Sequence, residues 1–461
     1  MTKKWLLSLS LTLGVLALYA QSAKKAGPET AFTHVNVLPM DGGQTLLENQ
    51  TVIVKSGKIA KIGPSEKVKP GKQAVIIDGT GKYLLPGLAE MHAHIPTPDN
   101  GDDALVRETL FLYLANGVTT IRGMLGAPYH LQLRKMAENN EILSPRIFTS
   151  SPSLNGSTIQ TQEEAQEKVT KYQHDGYDFL KIHPGVKLDV FDAMVRTARK
   201  VGITFAGHVP VDVGIRHALE SGYASVDHMD GYVEGLAPAA IRDTMKNQGF
   251  FGYDLAPFAD EQAIPELTGL TKGNNVWVVP TQSLFVRWFS PEDPNVLANE
   301  PEMKYMSPKT LFQWRQSKSS LITSPDYSEA QWKQFIAVRQ KMLRAFRRTG
   351  VGLLLGSDAP QVFNVPGFSL HHEVKALEEA GLPVDVILES GTVNPARFFG
   401  KQGQFGTVTV GASADLILAD GNPMNNLNDL WNQSGVMVRG QWLSREFIAG
   451  KLAEIAGKYG N

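Results

Sequence analysis

Leu84-Leu85-Pro86-Gly87-Leu88-Ala89-Glu90-Met91-His92-Ala93-His94 is an apolar run that closes on two histidines two residues apart. Side chains alternate faces along a β-strand, so His92 and His94 point the same way and can bind one metal ion. Seven further apolar runs follow at 118–123, 146–150, 179–183, 203–208, 225–228, 276–281 and 351–358. Amphipathic helical segments, among them 163–173, 190–201 and 332–349, lie between them. Eight strand-then-helix units in a row predict an α/β fold, a (β/α)8 TIM-like barrel over 84–400. A polar, proline-bearing stretch at 290–327 enlarges it, either as a lid over the barrel mouth or as a surface excursion.

Outside the barrel the texture changes. Thr51-Val52-Ile53-Val54-Lys55 and Lys58-Ile59-Ala60-Lys61-Ile62 flank the turn Ser56-Gly57, and short alternating strands return at 407–410, 415–419 and 436–442. The chain therefore divides into a leader at 1–23, a β-rich part at 24–83, the barrel, and a second β-rich part at 401–461.

The 461 residues carry a formal net charge of −1. A nucleic-acid partner or an anionic membrane surface calls for a strongly basic balance, so neither is expected. Lys3 and Lys4, the apolar run 5–18 and the small residues Ala20, Gln21, Ser22 and Ala23 read as a cleaved export signal. The run falls short of the ~20 apolar residues of a membrane span. Export to the periplasm or medium, with no membrane anchor after cleavage, is the expectation. The chain contains no cysteine, which removes disulfides, thiolate metal sites and a lipidated cysteine. Any metal must be held by nitrogen and oxygen.

Four more ligand-capable residues stand at or near predicted strand ends. They are Lys181 in Phe179-Leu180-Lys181-Ile182-His183, His208, His228 in Ser225-Val226-Asp227-His228, and Asp358. All strand C-termini of a parallel barrel open on one face, so residues far apart in sequence converge there. With His92 and His94 they form a nitrogen- and oxygen-rich set that suits Zn2+ and accepts Mn2+, Fe2+ or Co2+. Lysine is the odd member, because an ammonium repels cations. It ligates only when neutral or converted by CO2 to a carbamate, which could bridge two metals; otherwise Lys181 is an ordinary barrel lysine paired with a carboxylate. Arg122, His183, Tyr232, Gln282 and His372 fall near strand ends or the loops after them, as candidates for gripping a small-molecule substrate.

These residues resemble the amidohydrolase superfamily over nearly the whole chain after the leader. The likeness rests on the run 77–88 into the first strand, Gly117-Val118-Thr119-Thr120-Ile121-Arg122, Leu370-His371-His372-Glu373 with Thr392-Val393-Asn394-Pro395-Ala396, and Gly411-Ala412-Ser413-Ala414-Asp415-Leu416. It is most similar to the imidazolonepropionase and Xaa-Pro dipeptidase-like branch. The resemblance implies a small β-sandwich built from both chain ends. It also implies a first metal on His92, His94 and Asp358, a second on His208 and His228, and a carboxylated Lys181 between them. Asp358 would handle the proton of a bridging hydroxide. Two positions depart from the pattern: Glu90 and Gly123 stand where aspartate is frequent, and neither is a metal ligand in the family.

The expected reaction is attack of a metal-bound hydroxide on an amide-type carbonyl of a dipeptide, N-acyl amino acid or cyclic amide, with Asp358 passing the proton to the leaving nitrogen. The rivals are a single-metal deaminase or a lactone or ester hydrolase on the same scaffold. A catalytically inactive exported binding protein would show an eroded ligand set, whereas all six positions are filled. A homo-oligomer is left open.

Overall fold

The computed structural model describes residues 29–43, 46–245 and 248–460; the expected leader lies outside them. Seven strands, Leu88–Ala93, Val118–Gly123, Arg146–Leu154, Phe179–Ile182, Thr204–Gly207, Ser225–Asp227 and Trp277–Val279, pair in parallel and in chain order. The helices between them bury an apolar face at helical spacing. Leu188–Val201, for example, buries Val190, Phe191, Met194, Val195 and Ala198 and stops at the left-handed Gly202.

The eighth expected strand, 351–358, is not a regular strand. It still closes the ring. On one side Val278 N donates to Gly352 O and Leu354 N to Val278 O, each at 2.9 Å; on the other, Met91 N donates to Leu355 O and His94 N to Ala359 O, each at 2.8 Å. Glycines at 352 and 356 and a left-handed Asp358 (φ 65°) break the pleat that a continuous ladder needs.

The first expected strand, 84–94, is two. Tyr83–Pro86 pairs with Leu416–Ala419 in the terminal sheet, and Leu88–Ala93 begins the barrel. Gly87 is the joint: a Cβ there would lie 2.2 Å from Thr119 Oγ1, so only glycine allows this approach. Both chain ends meet in one eight-stranded sheet, in the order Gln441–Ser444, Gln433–Val438, Leu416–Ala419, Tyr83–Pro86, Thr30–Val37, Leu47–Lys55, Lys58–Pro64, with Val75–Asp78 paired to Thr30–Val37. Its buried core includes Phe32, Val35, Val52, Leu84, Leu416 and Met437.

The stretch 290–327 is largely helical, with Pro308–Ile322 as its longest piece. It is pinned down by Lys318, a fully buried lysine whose ammonium donates to Arg287 O and Ser290 O at 2.7 Å each. Among the described residues no helix is long and apolar enough to cross a membrane.

Candidate metal centre

Five imidazoles and a carboxylate converge at the C-terminal mouth of the barrel. His94 Nε2 lies 2.8 Å from Asp358 Oδ1, His92 Nε2 lies 3.6 Å from the same oxygen, and His228 Nδ1 lies 3.8 Å from Asp358 Oδ2. Ring centroids step from His94 to His92 (5.4 Å), His92 to His228 (4.3 Å), His228 to His208 (4.6 Å) and His208 to His183 (5.1 Å). Ligand atoms of His92, His228 and Asp358 all fall within 4.8 Å of one another. The convergence depends on backbone breaks at the strand ends. Strand alternation would send Asp227 and His228 to opposite faces, but the left-handed backbone of His228 (φ 62°) turns both inward. Asp358 shares that conformation, and such outliers concentrate at functional sites.

Burial, followed by the electrostatic effect of Lys181 and His94 on His92, and of His92 and His208 on His228, holds both rings well below the ordinary imidazole range. They are neutral and keep lone pairs for a cation. Lys181 is fully buried, and its Nζ has no hydrogen-bond partner among the described residues. Burial is the main cause that lowers its amine to about 8. Room for this side chain comes from Gly207, where a Cβ would lie 2.4 Å from Ile182 O and 3.1 Å from Lys181 Cδ. Neutral imidazoles, one carboxylate and an unpartnered buried amine form a donor set that fits divalent cations.

A second layer of carboxylates orients the rings, as metal-binding histidines require. Asp230 Oδ2 lies 2.9 Å from His208 Nδ1 and accepts Val209 N–H at 3.1 Å. Thr281 Oγ1 lies 3.0 Å from His228 Nδ1. Asp227 Oδ2 sits 3.0 Å from His92 Nδ1, off the line of a hydrogen bond. Glu90, two residues before His92 on the same face, accepts N–H bonds from His92 (2.8 Å) and Ser357 (2.9 Å) and so ties the first strand to the segment that carries Asp358. Burial raises the Glu90 carboxyl to about 8.

The five candidates for substrate contact separate. His183 is at the mouth, stacked on His208, with Nδ1 2.8 Å from Ser153 Oγ. Arg122 is not at the mouth. It fills the barrel interior beneath the metal centre, fully buried, donating from Nε to Met91 O (2.6 Å), from Nη1 to Ser225 Oγ (2.8 Å) and from Nη2 to Asp227 (2.8 Å). Tyr232 is turned into the helical layer, where its hydroxyl meets Thr271 Oγ1 at 2.9 Å. Gln282 Oε1 accepts from the buried Arg339 Nε at 2.9 Å. Arg122 and Tyr232 spend their polar heads on the protein itself, which corrects the expectation that they grip substrate; Gln282 is fully buried, and its Nε2 has no hydrogen-bond partner among the described residues.

His372 joins a second polar cluster with Glu300, Glu302 and Arg287. Its Nε2 lies 2.7 Å from Glu302 Oε1. Burial opposes ionisation of Glu302, but the hydrogen bond and charge of His372 outweigh it and hold the carboxyl down to about 2, from 4.5. A depressed carboxyl contributes stability that is complete above its unfolded value and lost as pH falls through the folded one. Stability measured by urea unfolding should therefore decline between about pH 4.5 and 2 more steeply in the parent than in Glu302→Gln. Equal slopes would refute the linkage.

Asp227, Asp230 and Thr281 were not singled out in the sequence. Asp227 and Asp230 flank His228 closely, and an acidic residue beside a candidate ligand is a signal that could have found them.

The profile of the amidohydrolase family matches residues 83–443. An imidazolonepropionase of Thermoplasma volcanium is 25% identical over 394 residues, covering 81% of this chain and 84% of that protein. An adenine deaminase of Ruegeria sp. is 25% identical over 219 residues, 44% of this chain and 35% of that protein. The chain thus spans little more than a third of the adenine deaminases it matches first. Among solved structures, bottromycin amidohydrolase superposes with a TM-score of 0.71 at 22% identity, covering 94% of this chain and 91% of that one. A Xaa-Pro dipeptidase with bound methionine gives 0.64 at 18% identity, covering 90% and 100%. These two share the fold. With the profile running from the last strand before the barrel to the far edge of the terminal sheet, this chain belongs to the amidohydrolase family.

Proposed function

We propose that this protein is a metal-dependent hydrolase that cleaves an amide-type C–N bond of a dipeptide, N-acyl amino acid or cyclic amide. The observation that carries the reading is the run of imidazoles closing on Asp358, with the unpartnered amine of Lys181 buried at the same strand ends. In this reading His92, His94 and Asp358 hold one divalent cation and His208 and His228 the other. Lys181, carboxylated by CO2, would offer these cations oxygen ligands in place of a buried unpaired amine. Zinc fits this donor set best. Cations bound there acidify a water and polarise a carbonyl. Asp358 accepts the proton of the attacking water and delivers it to the nitrogen as the C–N bond breaks. Asp227, Asp230 and Thr281 keep the rings from turning away, and His183 meets a polar group of the substrate at the mouth. In this reading the apolar leader at 1–23 is an export signal and the activity lies outside the cytoplasm.

The adenine deaminase relatives favour a second reading, removal of an exocyclic amine, which a single-metal site would mark off from the first. Zinc- or manganese-loaded protein screened against dipeptides, N-acyl amino acids, cyclic amides, lactones and aminopurines separates the two. Amide cleavage, with two tightly held ions per chain falling to one in Lys181→Ala, is the expected result. Ammonia release from aminopurines alone, with one ion in both proteins, would replace it.

A further inference from the structure

One aromatic ring stands over the metal centre and has no part in the chemistry above. The Phe251 ring centroid lies 5.4 Å from that of His228 and 5.8 Å from that of His208, and it meets Phe285 edge-on at 4.9 Å. Phe251 is half-buried, and the His208 side chain beside it keeps 13% of its surface exposed. A ligand that approaches His208 and His228 from this open side runs along the ring.

Its backbone is the second observation. Phe251 sits at φ 57°, ψ 34°, a left-handed conformation that glycine or asparagine adopts readily and a bulky side chain rarely does. The loop would hold its shape at lower cost with a smaller residue. An outlier of this kind at the rim of a site points to function.

The surroundings extend the same apolar character. Phe250, 65% exposed, faces Trp288 with ring centroids 6.3 Å apart. A cleft of about 810 Å³ begins at Val209, the residue after His208, and is lined by Val211, Val213 and Ile215, with Val211 69% exposed. Of the charged groups of this cleft, Arg216 pairs with Glu266, Arg242 with Asp243 and His217 with Asp192, while the buried Glu234 Oε2 has no hydrogen-bond partner among the described residues.

We infer that Phe251 is a specificity-determining residue, and that the site selects substrates whose part next to the scissile bond carries a large apolar group, aryl or branched alkyl. The inference rests on the metal centre proposed above. It is tested by a ligand pair that needs no turnover: acetohydroxamate and 3-phenylpropionohydroxamate, titrated by calorimetry into the zinc-loaded protein. The parent should bind the phenyl compound about 10- to 100-fold more tightly, the effect of burying one aryl group. Phe251→Gly, which removes the ring and relaxes the backbone, should reduce that preference to about fivefold or less with Tm unchanged or raised. Phe251→Leu should keep most of it. Matched N-acyl amino acids should show the same order, read in KM. Equal affinities in the parent, no binding of either compound, or a preference that survives in Phe251→Gly would overturn the inference. So would a Tm loss shared by the glycine and leucine variants, which would mark the ring as structural. A hydroxamate preference without cleavage of any amide would uphold it and reject the hydrolase reading.

Discussion

Asp358→Asn should lower kcat by about 10²- to 10⁴-fold, the span expected when a group that moves a proton in the transition state is lost. The substitution is nearly isosteric. Asparagine also tolerates the left-handed backbone that Asp358 occupies (φ 65°), so the segment closing the barrel keeps its course. What disappears is the acceptor for the proton of the attacking water, together with the negative charge facing His94 at 2.8 Å and His92 at 3.6 Å. The loss falls on the transition state, so KM should move little while kcat and kcat/KM drop together. Steady-state kinetics on metal-loaded protein, with Tm measured alongside, checks this. A variant that keeps a tenth of the parental kcat would remove Asp358 from the proton's path.

Arg122→Met should cost about 3–5 kcal/mol of folding stability, the usual result of stripping one partner from a buried ion pair. Arg122 and Asp227 are both fully buried and paired at 2.8 Å, with the guanidinium over the rings of Phe179 (5.4 Å) and Phe398 (5.2 Å). Burial opposes the charge on Asp227, and Arg122 is the first of the neighbours that nonetheless keep its carboxyl below the usual range. Methionine fills the space but leaves that carboxylate, Ser225 Oγ and Met91 O facing an apolar side chain. Adding Asp227→Leu should restore much of the stability, because a buried pair replaced by apolar residues is often neutral. It should not restore function, since His92 then lacks the carboxylate behind its Nδ1, and metal affinity should fall about 10- to 100-fold. Guanidinium unfolding of the metal-free proteins and metal titration read the two effects separately. A single variant within about 1 kcal/mol of the parent would show that the pair is not a strut.

The barrel and the convergence of its candidate ligands were legible because both follow from short-range pattern. His92 and His94 share a face by spacing alone, Lys181 lies near the end of an apolar run, and His208, His228 and Asp358 each terminate one. The limits of that pattern are physical too. The expected strand at 84–94 conceals a joint at Gly87, visible only once Thr119 is seen packed against it. The eighth run has strand composition, but Gly352, Gly356 and the backbone of Asp358 leave it bridged at single points. Strand-end position also fails to say at which depth a polar head lies. Arg122 and His183 both occupy barrel strands or their ends, yet Arg122 is fully buried on Asp227 and His183 is half-buried beside Ser153. Tyr232 and Gln282 are claimed by Thr271 and Arg339, partners 39 and 57 residues away that no local pattern names. Phe251 reaches the site through a left-handed turn that its own residue type disfavours.

The most direct test of the metal centre is a crystal structure of zinc-loaded protein with anomalous difference maps recorded at the zinc edge. Two peaks are expected, one among His92, His94 and Asp358 and the other between His208 and His228, with density for a carboxylated Lys181 joining them. A single peak, an unmodified Lys181 standing apart from the ions, or zinc only at Glu300, Glu302 and His372 would contradict the account.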